Sequence, residues 1–369
     1  MDTGKENKIY ALSVENLLSC PAVIMNKYPS LSWKISADRE GARQTAYQIQ
    51  AASNETLLQS NSPDLWDSGK QLSEQSLYIL WKDATLQARQ EVFWRVRIWD
   101  ENGQASDYSE IAYFRLGLLQ NSHWQANWIY FDGNNSSHSA PCPFFRKEFS
   151  VSSDLQKAHL YISARGLFSA SINGSKISAD EFVPGWTDYH QQLQYLSYDV
   201  KDCLQRGNNA LGVILGDGWY TGFLMGRRRN LYGRYPELLL QLELEYKDGR
   251  REIVLSDGEW KCTTGPILYS DIYDGEMYDE RLQMPGWNCP DFEDSAWQPV
   301  KVGERAAESK AELVAKVCPP VRKIAELKPV KRTNPRQDVY IWDFGQNLTG
   351  WVRLKVRGRA GQLYTCHFG

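Results

Sequence analysis

Several things are scarce in this sequence, and each scarcity removes a class of protein. No apolar run reaches the ~20 residues needed to cross a bilayer as a helix, so no membrane span is expected. The seven cysteines (Cys20, Cys142, Cys203, Cys262, Cys289, Cys318 and Cys366) are odd in number and widely spaced, with no Cys-x-x-Cys. That is neither a disulfide framework nor a zinc site. The five histidines, His123, His138, His159, His190 and His367, are scattered without metal-ligand spacing. Neither sign of charge is in excess. A net −3 over 369 residues lacks the basic domain that a nucleic-acid partner requires. The one dense basic run, Arg227-Arg228-Arg229, is too short to track a polyanion and reads as a solvated loop. There is no Gly-x-Ser-x-Gly elbow and no Cys/His pairing, so nucleophilic catalysis lacks support. The N-terminus, MDTGKENKIYALSVENLL, lacks the basic-then-apolar pattern of a leader. A chain relieved of its leader reads the same way, which leaves periplasmic, extracellular and cytoplasmic locations open.

Long stretches of helical period are also few. What is abundant instead is aromatic: 14 Trp and 20 Tyr, set among Gly, Pro, Asn and Asp turns. That composition predicts an all-β chain. The length is too great for one small core. Leu31–Ile35, Ala46–Ala51 and Phe93–Trp99 alternate apolar and polar residues as half-buried strands do. With Leu65–Gly69 and Tyr113–Gly117 they outline a fibronectin-III-like sandwich over residues 1–118. A jelly-roll-like sandwich is expected over 119–300. Its strands include Phe144–Phe149, Lys157–Ile162 and Leu238–Tyr246, and Asn173-Gly174 supplies a type I′ hairpin turn. Residues 301–369 read as a connector, then strands around Tyr340–Trp342 and Gly350–Val356. Two or three strands cannot bury an independent core, so this third unit is expected to be cut short.

The aromatic residues cluster with acids at Trp186-Thr187-Asp188-Tyr189 and Asp217-Gly218-Trp219-Tyr220. Flat apolar rings beside directional hydrogen-bonding groups suit a sugar, which has an apolar face and a rim of hydroxyls. The same rings also suit a sandwich core. Asn173, Asp188 and Asp217 are calcium candidates, since oxygen donors of this kind form its shell. The densest carboxylate group, Asp271, Asp274, Glu276, Asp279 and Glu280, has turn formation and pairing with Arg281 as its expected roles. A pair of catalytic carboxyls within it is the alternative.

The order of motifs resembles the N-terminal half of bacterial α-L-rhamnosidases. The segments are LSWKI (31–35), QTAYQIQAA (44–52), LWDSGK (65–70), WRVRIWDENG (94–103), INGSKI (172–177), PGWTDY (184–189), GDGWY (216–220), YDGEMYDERL (273–282), PGWNCPDFEDSAWQPV (285–300) and DFGQNLTGWVRLKV (343–356). The resemblance implies an inverting glycosidase that removes terminal rhamnose from a glycan or glycoside. It places the catalytic helical barrel beyond Gly369, so the chain by itself is expected to be inactive. A stand-alone carbohydrate-binding module is the competing reading. Some members of the family bind rhamnose through calcium near the counterparts of Asn173 and the loop after GDGWY. Here Asn173-Gly174 has no acidic neighbour and Phe223-Leu224-Met225-Gly226 is apolar, which departs from that pattern. The sugar-binding or domain-docking candidates are therefore Asn173, Trp186, Asp188, Asp217, Trp219, Tyr220, Arg234, Tyr273 and Glu276.

Overall fold

The alternation of the first hundred residues produces two facing sheets. The computed structural model describes residues 8–18, 22–83, 85–133, 140–224, 228–316, 318–359 and 361–368. Met1–Val321 form one compact unit and Arg322–Gly369 a second. The first strands are β1 (Lys8–Val14), β2 (Ala22–Ile24), β3 (Ser30–Ser36), β4 (Ala46–Ala52), β5 (Trp66–Asp67), β6 (Gln71–Leu72), β7 (Ile79–Leu80), β8 (Glu91–Trp99) and β9 (Ala112–Leu116). One sheet runs β1-β3-β7. The other runs β2-β9-β8-β4-β5, with β6 also on β4. Leu31, Trp33, Ile49, Trp94, Val96 and Phe114 fill the space between them. The largest helix among the described residues is Glu55–Gln59.

A second, larger sandwich follows. Its strands are β10 (Asn127–Tyr130), β11 (Pro143–Val151), β12 (Leu155–Arg165), β13 (Leu167–Ile172), β14 (Ser175–Lys176), β15 (Asp180–Glu181), β16 (Gln192–Asp199), β17 (Gly207–Gly216), β18 (Glu237–Tyr246), β19 (Arg251–Leu255) and β20 (Lys261–Thr264). After them come β21 (Ile267–Asp271), β22 (Gly275–Tyr278), β23 (Gln298–Pro299), β24 (Lys301–Arg305) and β25 (Glu312–Ala315). One sheet is ordered β24-β10-β18-β12-β16-β25, with β19 paired to β18. Its partner is ordered β14-β13-β17-β11-β20-β23. Residues 301–315 were expected as a connector. They instead supply β24 and β25, which extend both edges of the larger sheet. Their charged, short-strand composition hides this, because edge strands present one side to water.

Strand β12 explains why the two sandwiches form one unit. Ala158, Leu160, Ile162 and Ala164 face the inner core. Tyr161 faces the opposite way, into an outer cluster with Leu118, Trp124, Trp128, Tyr195 and Leu313, against which Val23 and Met25 of the first sandwich pack. Both faces of β12 are thus covered, and it is buried from Ala158 to Ala164 even though His159 and Ser163 interrupt its apolar residues.

In the second unit, Lys331–Arg336 and Val339–Asp343 pair antiparallel. The strand expected over Gly350–Val356 does not form, because no partner strand lies alongside it among the described residues.

Candidate functional site

Loops at one end of the second sandwich bring most of the aromatic candidates together. At the opposite end of β13 from these loops, the turn into β14 carries Asn173 at φ +50 and Gly174 at φ +83, the left-handed pair that a tight hairpin requires. After β15 the chain runs through Trp186 to Tyr189, with a cis bond at Val183–Pro184. After β17 it turns sharply at Gly218, φ +52, where an added Cβ would lie 2.8 Å from the Leu167 side chain. Only glycine fits that turn, and it swings Trp219 and Tyr220 to opposite fates.

Trp219 is half-buried and lies parallel to Trp186, with ring centroids 6.2 Å apart and planes 9° from parallel. Trp186 is 48% exposed. Tyr220 instead turns inward and is 7% exposed. Tyr189 meets it edge-on at 5.3 Å, and Tyr232 lies nearly parallel at 6.3 Å. Burial pushes the Tyr220 hydroxyl up to about 12, although Arg165 pulls the other way. Of the adjacent candidates Trp219 and Tyr220, the second is therefore core.

The polar candidates are occupied locally. The Asn173 amide donates to the Cys203 carbonyl and Asn209 Oδ1, and accepts from the Ala210 N–H. Asp188 accepts from the His190 N–H and the Gln191 side chain, closing its own turn. Asp217 is buried, accepts from Thr221 Oγ1 at 2.9 Å and pairs with Arg229 at 2.8 Å. These three residues sit in three separate networks, so they do not fit a calcium shell. Among the described residues no group of three His, Cys, Asp or Glu is gathered for a metal. Arg229, expected to be solvated, is buried against Asp217 and Phe223. Sequence spacing gave no signal for that pairing across a loop. Arg227, Met225 and Gly226 lie outside the described residues.

Three of the five clustered carboxylates, Asp271, Asp279 and Glu280, are likewise engaged locally. Asp271 accepts from the N–H groups of Phe223, Tyr273 and Asp274, tying the β21–β22 hairpin to the loop after Trp219. Asp279 holds Arg281, and Glu280 holds Gln283. The hairpin leaves Tyr273 (65%) and Tyr278 (46%) exposed, with Glu276 between them also exposed. Arg234 is exposed beside Tyr235, whose ring stacks on Tyr130 at 5.3 Å. A cleft of about 20 Å³ beside Asp217, Arg229 and Tyr235 has room for about one water, too little for a sugar ring. Among the described residues, what these loops present is an outward-facing aromatic rim.

The described residues of the first unit thus form tandem β-sandwiches, with an aromatic rim on the loops of the second. The family described as Alpha-L-rhamnosidase N-terminal domain matches residues 153–325. A Rha78A-like, N-terminal immunoglobulin domain matches 9–120, and the bacterial α-L-rhamnosidase concanavalin-like domain matches 333–369. The chain belongs to the bacterial α-L-rhamnosidase family, of which it carries the N-terminal portion. It is 38% identical to an α-L-rhamnosidase of Alteromonas sp. (strain LOR), covering 92% of this chain and 38% of that one. The solved α-L-rhamnosidase of Dictyoglumus thermophilum superposes with a TM-score of 0.82 at 34% identity, covering 92% of this chain and 39% of that one. Streptomyces avermitilis α-L-rhamnosidase complexed with L-rhamnose gives 0.84 at 25% identity, covering 93% and 49%. The chain thus spans less than half the length of these relatives.

Proposed function

We propose that this chain is the ancillary N-terminal region of a glycoside hydrolase that removes terminal α-L-rhamnose from glycans or glycosides. The acid and base of the reaction then lie on a part of the polypeptide outside these 369 residues. The observation that carries this is the match itself. It runs through 92% of this chain but 38% of the relative. The committed carboxylates support it. Inverting hydrolysis needs two carboxyls roughly 6.5–9.5 Å apart across a sugar-sized pocket, and Asp271 and Asp279 instead hold backbone and Arg281. In this reading Trp186, Trp219, Arg234, Tyr273, Tyr278 and Glu276 form the surface on which the catalytic domain docks. Assaying the 369-residue chain on an aryl α-L-rhamnoside tests the proposal, and background hydrolysis is the expected result. Enzyme-level turnover that disappears in Glu276→Gln would contradict it.

The parallel Trp186–Trp219 pair favours a second reading, a carbohydrate-contacting module. No calcium enters that reading, because Asn173, Asp188 and Asp217 have their oxygens engaged elsewhere. Calorimetric titration with L-rhamnose, with and without calcium, separates the two readings. No heat at millimolar sugar is expected if the rim only docks. Calcium-dependent heat lost in Asn173→Ala would contradict the assignment of Asn173 to the turn alone.

A further inference from the structure

The surface between the two sandwiches is more elaborate than a linker requires. Arg89 sits in the turn before β8 at φ +65, a left-handed conformation uncommon outside Gly and Asn. That turn aims its guanidinium across the seam, where Nε and Nη2 grip the Glu243 carboxylate of β18 at 2.7–2.9 Å. Gln241 and the His123 carbonyl complete the ring around this pair. Glu91, at the start of β8, meets Arg115 of its own sandwich at 3.1 Å and His159 of β12 at 3.5 Å. It also pairs with Lys157 of β12. Arg115 in turn donates to the Tyr161 hydroxyl at 3.1 Å.

The connector is gripped as well. Tyr195 Oη accepts from the Leu118 N–H at 2.7 Å. It can come so close because residue 117 is glycine: a Cβ there would lie 2.0 Å from that oxygen. The Asn121 amide donates to the Ser309 and Ala311 carbonyls and accepts from the Leu313 N–H. The expected boundary near 119–122 is therefore stapled to the second sandwich.

We propose that these contacts form a latch that makes the first sandwich a fixed buttress of the second, unfolding with it as one cooperative body and released from it in acid. Removing one partner of a half-buried pair while the seam stays closed leaves the other charge uncompensated, so neutralising Glu91 or Glu243 favours opening of the seam. Acid release follows from the groups around Glu91: Arg115 and Tyr113 from β9, and Lys157 and His159 from β12. Burial pushes the Glu91 carboxyl up. The hydrogen bonds from His159 and Lys157 and the charges of Lys157 and Arg115 outweigh burial and hold it at about 2. A carboxyl lowered in the folded state stabilises fully above its unfolded value, 4.5, and that stabilisation is lost as pH falls toward about 2.

Native-state hydrogen exchange on the 369-residue chain, across a denaturant series at pH 7, tests the latch. Peptides from β8 should lose protection at the same denaturant concentration as peptides from β12. In Glu91→Gln and Glu243→Gln, β8 should exchange first, with protection lowered roughly tenfold or more. Glu55→Gln, on the exposed helix, should leave both unchanged. If the variants do not fold, the wild type at pH 4 and pH 3 decides, with β8 expected to release ahead of β12. Separate midpoints in the wild type at pH 7 would overturn the proposal. So would shared midpoints in both variants, or joint release of β8 and β12 in acid.

Discussion

The seam between the sandwiches and the rim at the end of the second are built from the same residue types, used in opposite ways. At the seam, Tyr161 and Tyr195 are buried and the charged groups are paired across the boundary. At the rim, Asp188 is turned back onto its own loop, Asp271 holds backbone N–H groups of its own hairpin and of the adjoining loop at Phe223, and Trp186 and Tyr273 are left facing water. A surface whose polar groups reach across to another element is already filled. One whose polar groups are satisfied locally while its rings stand exposed is open to something else. Exposed apolar patches of that kind mark contact surfaces, which is why the rim and not the seam carries the functional proposal.

Substitutions can break this contrast, and the largest effect is expected where the rim becomes core. Tyr220→Ala removes a ring enclosed by Tyr189 and Tyr232 and should cost about 3–5 kcal/mol, as other large-to-Ala core changes do. Denaturant unfolding reads this directly. A cost near zero would place Tyr220 on the contact surface after all. Gly117→Ala forces a methyl group onto the Tyr195 hydroxyl. It should cost about 1–3 kcal/mol, typical of overpacking, and an unchanged stability would mean that the connector can yield. Trp186→Ala sharpens the comparison from the other side. Its ring is half in solvent, so unfolding stability should move by no more than about 0.5 kcal/mol. A larger loss would make the Trp186–Trp219 pair structural.

The fold was legible where one face of a strand meets water. Leu31–Ile35 and Phe93–Trp99 alternate, and both are strands of the first sandwich. Strand β12 shows the limit. Its two faces are both covered, yet His159 and Ser163 interrupt its apolar residues, so its sequence conceals the seam against which Tyr161 packs. The aromatic cluster was visible as a cluster, yet Trp219 and Tyr220 are adjacent and only the turn at Gly218 decides which faces outward. Asp217 was legible as an acid near aromatic rings. Its partner Arg229 was not, because the pairing closes a loop whose path the sequence does not state. Lys301–Arg305 and Glu312–Ala315 were missed for a simpler reason. Short edge strands carry too little apolar pattern to register.

Hydroxyl-radical footprinting of the intact 369-residue chain tests the contrast between seam and rim most directly, because it reads both regions in one sample. Trp186, Tyr273 and Tyr278 should be modified rapidly. Trp124, Trp128, Tyr161 and Tyr195, all buried, should be modified about tenfold more slowly or less, as their rings contact protein on both faces. Modification of the seam aromatics at the same rate as Trp186 and Tyr273 would contradict the account, as would protection of the rim in the isolated chain.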